Sequence, residues 1–138
     1  MLCSAVLRHG WAAAARIGWV LLSGVVHAQA RLDCDVVYAG ASHPVQASPV
    51  TQPYEVAAVD IAGRFLFKAV VVGEGRRVDR VALYVYESSG PQPMLVQQVK
   101  YLPPFVRRPD SLTGEQRLYA GHLQRELAYR CTLDGVEP

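Results

Sequence analysis

Two cysteines, Cys34 and Cys131, stand near opposite ends of the chain and constrain it more than any other feature. The third, Cys3, falls in a segment that reads as a secretory leader, so the remaining domain carries an even pair. In an exported chain such a pair is read as a disulfide, because the compartment is oxidising. Bridging it closes a loop of 97 residues, which on the chain-entropy model stabilises by up to about 4.7 kcal/mol. No Cys-x-x-Cys spacing and no helix start are present to lower a thiol pKa, so the pair reads as a structural staple and not a redox site.

The leader itself is residues 1–30. Arg8, His9 and Arg16 form a basic start, and Ile17 to Val26 is an uncharged apolar run, about half the ~20 residues a membrane-crossing helix requires. Ala28-Gln29-Ala30 places small residues at the minus-three and minus-one positions of a cut before Arg31, and Val26-His27-Ala28 offers a second position. Neither a lipid-attachment pattern before Cys34 nor a paired-arginine signal is present. The expectation is a soluble product of the periplasm or medium, residues 31–138, with no membrane span in the mature protein.

Removing the leader changes the charge. The chain has 14 Lys and Arg against 12 Asp and Glu; Arg8 and Arg16 leave, and the domain becomes neutral. That argues against nucleic acid and anionic lipid as partners, since both call for an excess or cluster of basic residues. The basic residues are almost all Arg, Asn is absent and Ala, Val, Gly and Pro are abundant, a bias of the kind a GC-rich bacterial genome produces.

Strand periodicity runs through the domain. Leu32, Cys34, Val36 and Tyr38 share one parity while Asp33 and Asp35 take the other. Tyr54 to Ile61 and Arg64 to Val72 read as strands joined by a tight Ala62-Gly63 turn. Val78 to Glu87 sets Val81, Leu83 and Val85 against Arg80, Ala82, Tyr84 and Tyr86, and Met94 to Leu102 returns beside it. Leu123, Leu127, Tyr129, Cys131 and Leu133 share odd parity, broken only by Arg125, and form the last strand. Ser42 to Pro53 and Leu102 to Asp110 are Pro-rich and read as loops. Residues 113–122 are ambiguous between helix and strand: Thr113-Gly114-Glu115-Gln116 resembles a capping box, and a short helical turn over Glu115 to Tyr119 is the compromise.

These elements fit an all-β fold, a small two-sheet antiparallel sandwich of immunoglobulin-like architecture, with a small barrel as alternative. The immunoglobulin hallmarks are missing, because both tryptophans, Trp11 and Trp19, lie in the leader. Since both cysteines face the core, the first and last strands must be neighbours, in one sheet or across two. One sheet would set Asp33 and Asp35 beside Arg130, and a surface ion pair is expected there.

Chemistry-bearing residues are sparse. Glu115 and Glu126 are the carboxylates that, with His122, would serve a small secreted hydrolase, because glycoside cleavage needs two carboxyls flanking a cleft. His43 and His122 would hold zinc or copper only if the fold united them, so no metal site is expected. Ser42 beside His43 lacks a nucleophile elbow, and Gly73-Glu74-Gly75 lacks the rest of a phosphate loop. No nucleotide fingerprint is present, and no cofactor is expected. Arg80, Tyr84 and Tyr86 make a Tyr/Arg face, residue types enriched at interface hot spots, unless a second layer covers it. Phe105, Arg107 and Arg108 sit in a stiff Pro-rich loop that either presents them or plugs the core with Phe105. The sequence thus points to an exported, non-catalytic binding or structural module of the bacterial envelope, with an envelope protein or a glycan as partner.

Overall fold

The computed structural model describes residues 28–106 and 110–138. Most of the expected leader, residues 1–27, and the segment 107–109 with Arg107 and Arg108 lie outside the described residues. The described chain forms nine strands: β1 (Arg31–Tyr38), β2 (Ala41–Ala47), β3 (Pro49–Val50), β4 (Val59–Ile61), β5 (Phe65–Glu74), β6 (Arg77–Glu87), β7 (Met94–Tyr101), β8 (Gln116–Ala120) and β9 (Arg125–Asp134). They build two sheets, one in the order β2-β1-β9-β8 and the other in the order β3-β5-β6-β7, with β4 sharing with β3 the edge of β5 that β6 leaves open. All neighbours are antiparallel except β3 and β5. The sheets face one another as a sandwich and do not close into a barrel.

Parity in the sequence becomes sidedness in the sheets, because successive side chains point to opposite faces. Leu32, Cys34 and Val36 of β1 and Leu127, Tyr129 and Cys131 of β9 line the inner face of one sheet. Phe65, Phe67, Ala69 and Val71 of β5 and Val81, Leu83 and Val85 of β6 meet them from the other. Two edge-to-face ring pairs cross the core, Tyr38 with Phe65 at 5.5 Å and Phe67 with Tyr129 at 5.2 Å. The Tyr129 hydroxyl donates to Gln97 Oε1 at 2.9 Å, a polar tie between the sheets. Its burial pushes the phenol pKa upward, with Tyr101 adding to the effect.

Cys34 and Cys131 are directly paired in the β1–β9 register and form a disulfide, with Cα atoms 4.0 Å apart. The bridge therefore joins neighbours within one sheet and does not cross between sheets. Both cysteines are buried on the core side.

The structure corrects three expectations. Residues 42–53 are not a plain loop, since they supply β2 and β3. Pro44 disguises β2, but β2 is an edge strand, where a residue without an N–H leaves no ladder bond broken on the solvent side. Residues 54–58 hold no strand. A 3-10 turn at Pro53–Glu55 precedes the short β4. Finally, residues 116–120 are strand β8 and not a helical turn. The Thr113 hydroxyl that would have capped a helix instead accepts the Cys131 N–H at 2.9 Å and donates to the Gly114 carbonyl at 2.6 Å.

Turn chemistry fixes the hairpins. Ala62 and Gly63 both lie at positive φ, and the Arg64 N–H closes the turn on the Ile61 carbonyl at 3.1 Å. At Gly73, where the β5–β6 register shifts, an added Cβ would collide with the Arg77 carbonyl oxygen and the Val78 Cα. Replacing both cysteines by Ala is expected to lower unfolding free energy by about 2–5 kcal/mol, measured by urea unfolding of wild type and variant; an unchanged midpoint would contradict the assigned role of the bridge.

Candidate functional site

The two outer faces of the sandwich carry very different electrostatics. On the β2-β1-β9-β8 face lies an open groove of about 910 Å³. Its charges are mutually satisfied. Asp33 accepts from Arg31 Nε at 2.7 Å and from Gln46 Nε2 at 2.8 Å, and Asp35 accepts from the Ser42 hydroxyl. Arg125 donates to the Tyr38 hydroxyl at 2.8 Å. Arg130 pairs with Glu115 at 3.6 Å, which corrects the expected pair with Asp33 or Asp35. The register does set Asp35 opposite Arg130, yet Asp35 is engaged by Ser42 from the β2 side.

Glu115 and Glu126 do come together, through a residue the sequence reading passed over. Arg117 Nε donates to Glu115 Oε1 at 2.6 Å, and its NH1 donates to Glu126 Oε1 at 2.7 Å. The Tyr119 hydroxyl donates to the other Glu126 oxygen at 2.8 Å. These contacts raise the Arg117 pKa, chiefly through the Glu115 hydrogen bond, and raise that of Tyr119 through Glu126. A guanidinium shared between two carboxylates is a surface brace, which solvent screening keeps weak. Both carboxylates are thus engaged by Arg117.

The histidines are not brought together. His43 stands on β2, at one edge of the four-stranded sheet, and His122 sits in the turn after β8, at the opposite edge. Strand spacing alone separates those edges by about 14 Å. His43 points its Nε2 into a buried position, where it has no hydrogen-bond partner among the described residues. Among the described residues no group of three His, Cys, Asp or Glu could hold a metal ion.

His122 instead neighbours Glu87 at the end of β6. The Glu87 carboxylate accepts the Ser89 hydroxyl and the Ser89 N–H, the latter at 3.0 Å. Donation by the Ser89 hydroxyl, then by its N–H, holds the Glu87 pKa below the ordinary 4.5; burial opposes this, and the nearby His122 and Arg125 charges assist.

The opposite outer face, on β5, β6 and β7, presents Arg80, Tyr84 and Tyr86 as the sequence parity predicted. Among the described residues no second layer covers them: both tyrosines are half-buried, Arg80 is exposed, and they line a hollow of about 400 Å³. The hollow is also lined by Lys68 and Val70 on β5, Ala82 on β6, Lys100 on β7, and Pro53 and Tyr54 on the 3-10 turn. The register explains Lys68 and Lys100, which lie opposite Tyr84 and Ala82 respectively. Hairpin pairing across the Gly75-Arg76 turn would have located Lys68 from sequence. Tyr54, 91% exposed, carries no such signal.

Phe105 packs against the core while Val106 beside it is exposed. Arg107 and Arg108 lie outside the described residues. No family model, curated protein or solved structure matches the chain.

The Glu87 geometry has a pH consequence. Because its folded-state carboxyl titrates below 4.5, its contribution to stability is complete above that value and is lost as pH falls through the lowered one. Ser89→Ala removes the stronger donor, so the Glu87 titration followed by NMR should move up toward 4.5. The stability gained between acid and neutral pH should shrink as well. An unmoved Glu87 titration in the variant would contradict the assignment.

Proposed function

We propose that the protein is an exported, non-catalytic binding module of the bacterial cell envelope, and that it binds through the outer face of β5, β6 and β7. The observation that carries this reading is the surface of Arg80, Tyr84, Tyr86, Tyr54, Lys68 and Lys100. Among the described residues none of its three cations has a hydrogen-bond or ion-pair partner, and no carboxylate lines the hollow. Aromatic and Arg side chains in a rigid, partly desolvated setting are the residue types that dominate binding energetics. The hydrolase reading has weaker support, because Glu115 and Glu126 are tied to Arg117, and the metal reading has weaker support because His43 and His122 stand at opposite sheet edges.

Export is supported by the disulfide, a bond characteristic of oxidising compartments. Among the described residues no helix is long and apolar enough to cross a membrane. The packing also bears on the leader cut. Ala30 is fully buried in the core, and its N–H donates to the Gly75 carbonyl at 2.9 Å. A cut before Arg31 would remove that strut, whereas a cut after Ala28 keeps it. We therefore favour the second position, and intact mass of the exported chain should give a start at Gln29; a start at Arg31 would contradict this.

The binding reading is tested by co-sedimentation of the domain with isolated bacterial envelope. Wild type should be retained and the Tyr84→Ala, Tyr86→Ala double variant should lose retention by about tenfold, the effect of ~1.4 kcal/mol. Equal retention of the two would overturn the assigned surface.

A further inference from the structure

We propose that the β5-β6-β7 face takes an acidic polysaccharide, one whose sugar units carry carboxylates; this rests on the binding-module reading above and specifies its ligand. The argument begins with the floor of the hollow. Val70 and Ala82 are paired across β5 and β6, and both are buried although they lie on the outer face, at 3% and 2% exposure. Longer side chains rise around this small floor. Lys100 is directly opposite Ala82, Arg80 and Tyr84 stand two residues to either side of it, and Lys68 is opposite Tyr84. Lys68 and Lys100 are two strand spacings apart across the sheet and two residues apart along it, about 12 Å in all.

Three cations therefore surround an apolar floor, at separations comparable to the screening length of physiological salt, about 8 Å. Nothing among the described residues neutralises them. The nearest carboxylates are engaged elsewhere: Asp79, beside Arg80 at the β5–β6 bulge, pairs with Arg77 at 3.4 Å, and Asp60, opposite Leu66, accepts the Gly63 N–H at 2.9 Å in its own turn. On the other outer face Arg117 and Arg130 are each engaged by a carboxylate. Positive charge is thus segregated to one side of a neutral domain, and an anionic ligand relieves it.

The tyrosines select among anions. Tyr54, Tyr84 and Tyr86 offer apolar ring surface together with hydroxyls that have no partner among the described residues. A sugar unit matches both, with a C–H surface for the rings and hydroxyls to exchange hydrogen bonds. An acidic peptide laid on a sheet face would leave its own backbone N–H and C=O groups without the ladder partners that an edge supplies. A nucleic acid calls for an excess of basic charge that the neutral exported domain lacks.

Residues 28–138 contain the whole sandwich and are the material for the test. Calorimetric titration at low ionic strength uses oligogalacturonate as probe, with a neutral glucan of equal length, an oligo-dT and poly-glutamate as comparators. Oligogalacturonate should bind, more weakly as salt is raised, and the comparators should not. The Lys68→Gln, Lys100→Gln double variant should bind about tenfold more weakly, whereas Arg117→Gln on the opposite face should bind as wild type does. Both changes are at solvent-accessible side chains, and an unchanged thermal midpoint establishes that each variant is folded. Should either fail to fold, the salt dependence and comparator series on wild type decide alone. Absence of oligogalacturonate binding, equal binding of the neutral glucan, or tighter binding of oligo-dT or poly-glutamate would each overturn the proposal. Tyr84- and Tyr86-dependent envelope retention without oligogalacturonate binding would overturn the acidic-glycan class while leaving the module reading in place.

Discussion

The Cys34–Cys131 bond sits at the centre of the β1–β9 pair, and most of the architecture depends on that pair being made. β1 and β9 lie at opposite ends of the described chain, so their contact has the largest loop to close, and loop closure grows costlier with length. A covalent tie between two directly opposed residues removes that entropy from the unfolded chain. Once the ends are joined, β2 and β8 add to either side by local hairpins, each to its own sequence neighbour. Thr113 reinforces the same point by accepting the Cys131 N–H, so the approach to β8 is anchored at the disulfide itself. The Leu112 N–H also reaches the Cys131 carbonyl, at 2.9 Å.

The second sheet is assembled differently. β5, β6 and β7 form a meander of local pairings whose inner face carries Phe65, Phe67, Leu83 and Val85 into the core. Closing the sandwich buries these side chains against Leu32, Val36, Leu127 and Tyr129, each large apolar side chain contributing about 1.5–3 kcal/mol. The outer faces are then left to solvent, and there the two sheets diverge. One face neutralises itself through Arg117, Glu115, Glu126 and Arg130. The other keeps Lys68, Arg80 and Lys100 unmatched beside three tyrosines. Its small floor at Ala82 leaves room that a larger residue would fill. We read the first face as structural and the second as functional.

Much of this was legible in the sequence because a strand has a period of two and a disulfide fixes who faces whom. The parity of Leu32, Cys34 and Val36, and that of Tyr129, Cys131 and Leu133, marks the core side without any structure. Arg80, Tyr84 and Tyr86 fall on a common face for the same reason. What stayed hidden depends on partners distant in the chain. β2 was obscured by Pro44, whose missing N–H is harmless only because β2 is an edge. β8 carries a helix-like signal because the Thr113 hydroxyl resembles a cap in sequence, whereas in the fold it accepts the N–H of Cys131, eighteen residues on. The link between Glu115 and Glu126 runs through Arg117 by way of the β8–β9 register, and Lys68 and Lys100 join the tyrosine face from two other strands. Local pattern identifies faces, but only register assembles a site across strands.

The central claim is that one outer face binds while the other braces the fold. Amide chemical-shift mapping of residues 28–138 during titration with oligogalacturonate addresses it directly, because it locates contact residue by residue. The account predicts shifts concentrated at Lys68, Val70, Arg80, Ala82, Tyr84 and Lys100, with β8 and β9 unaffected. Shifts centred instead on Glu115, Arg117 and Glu126 would contradict it.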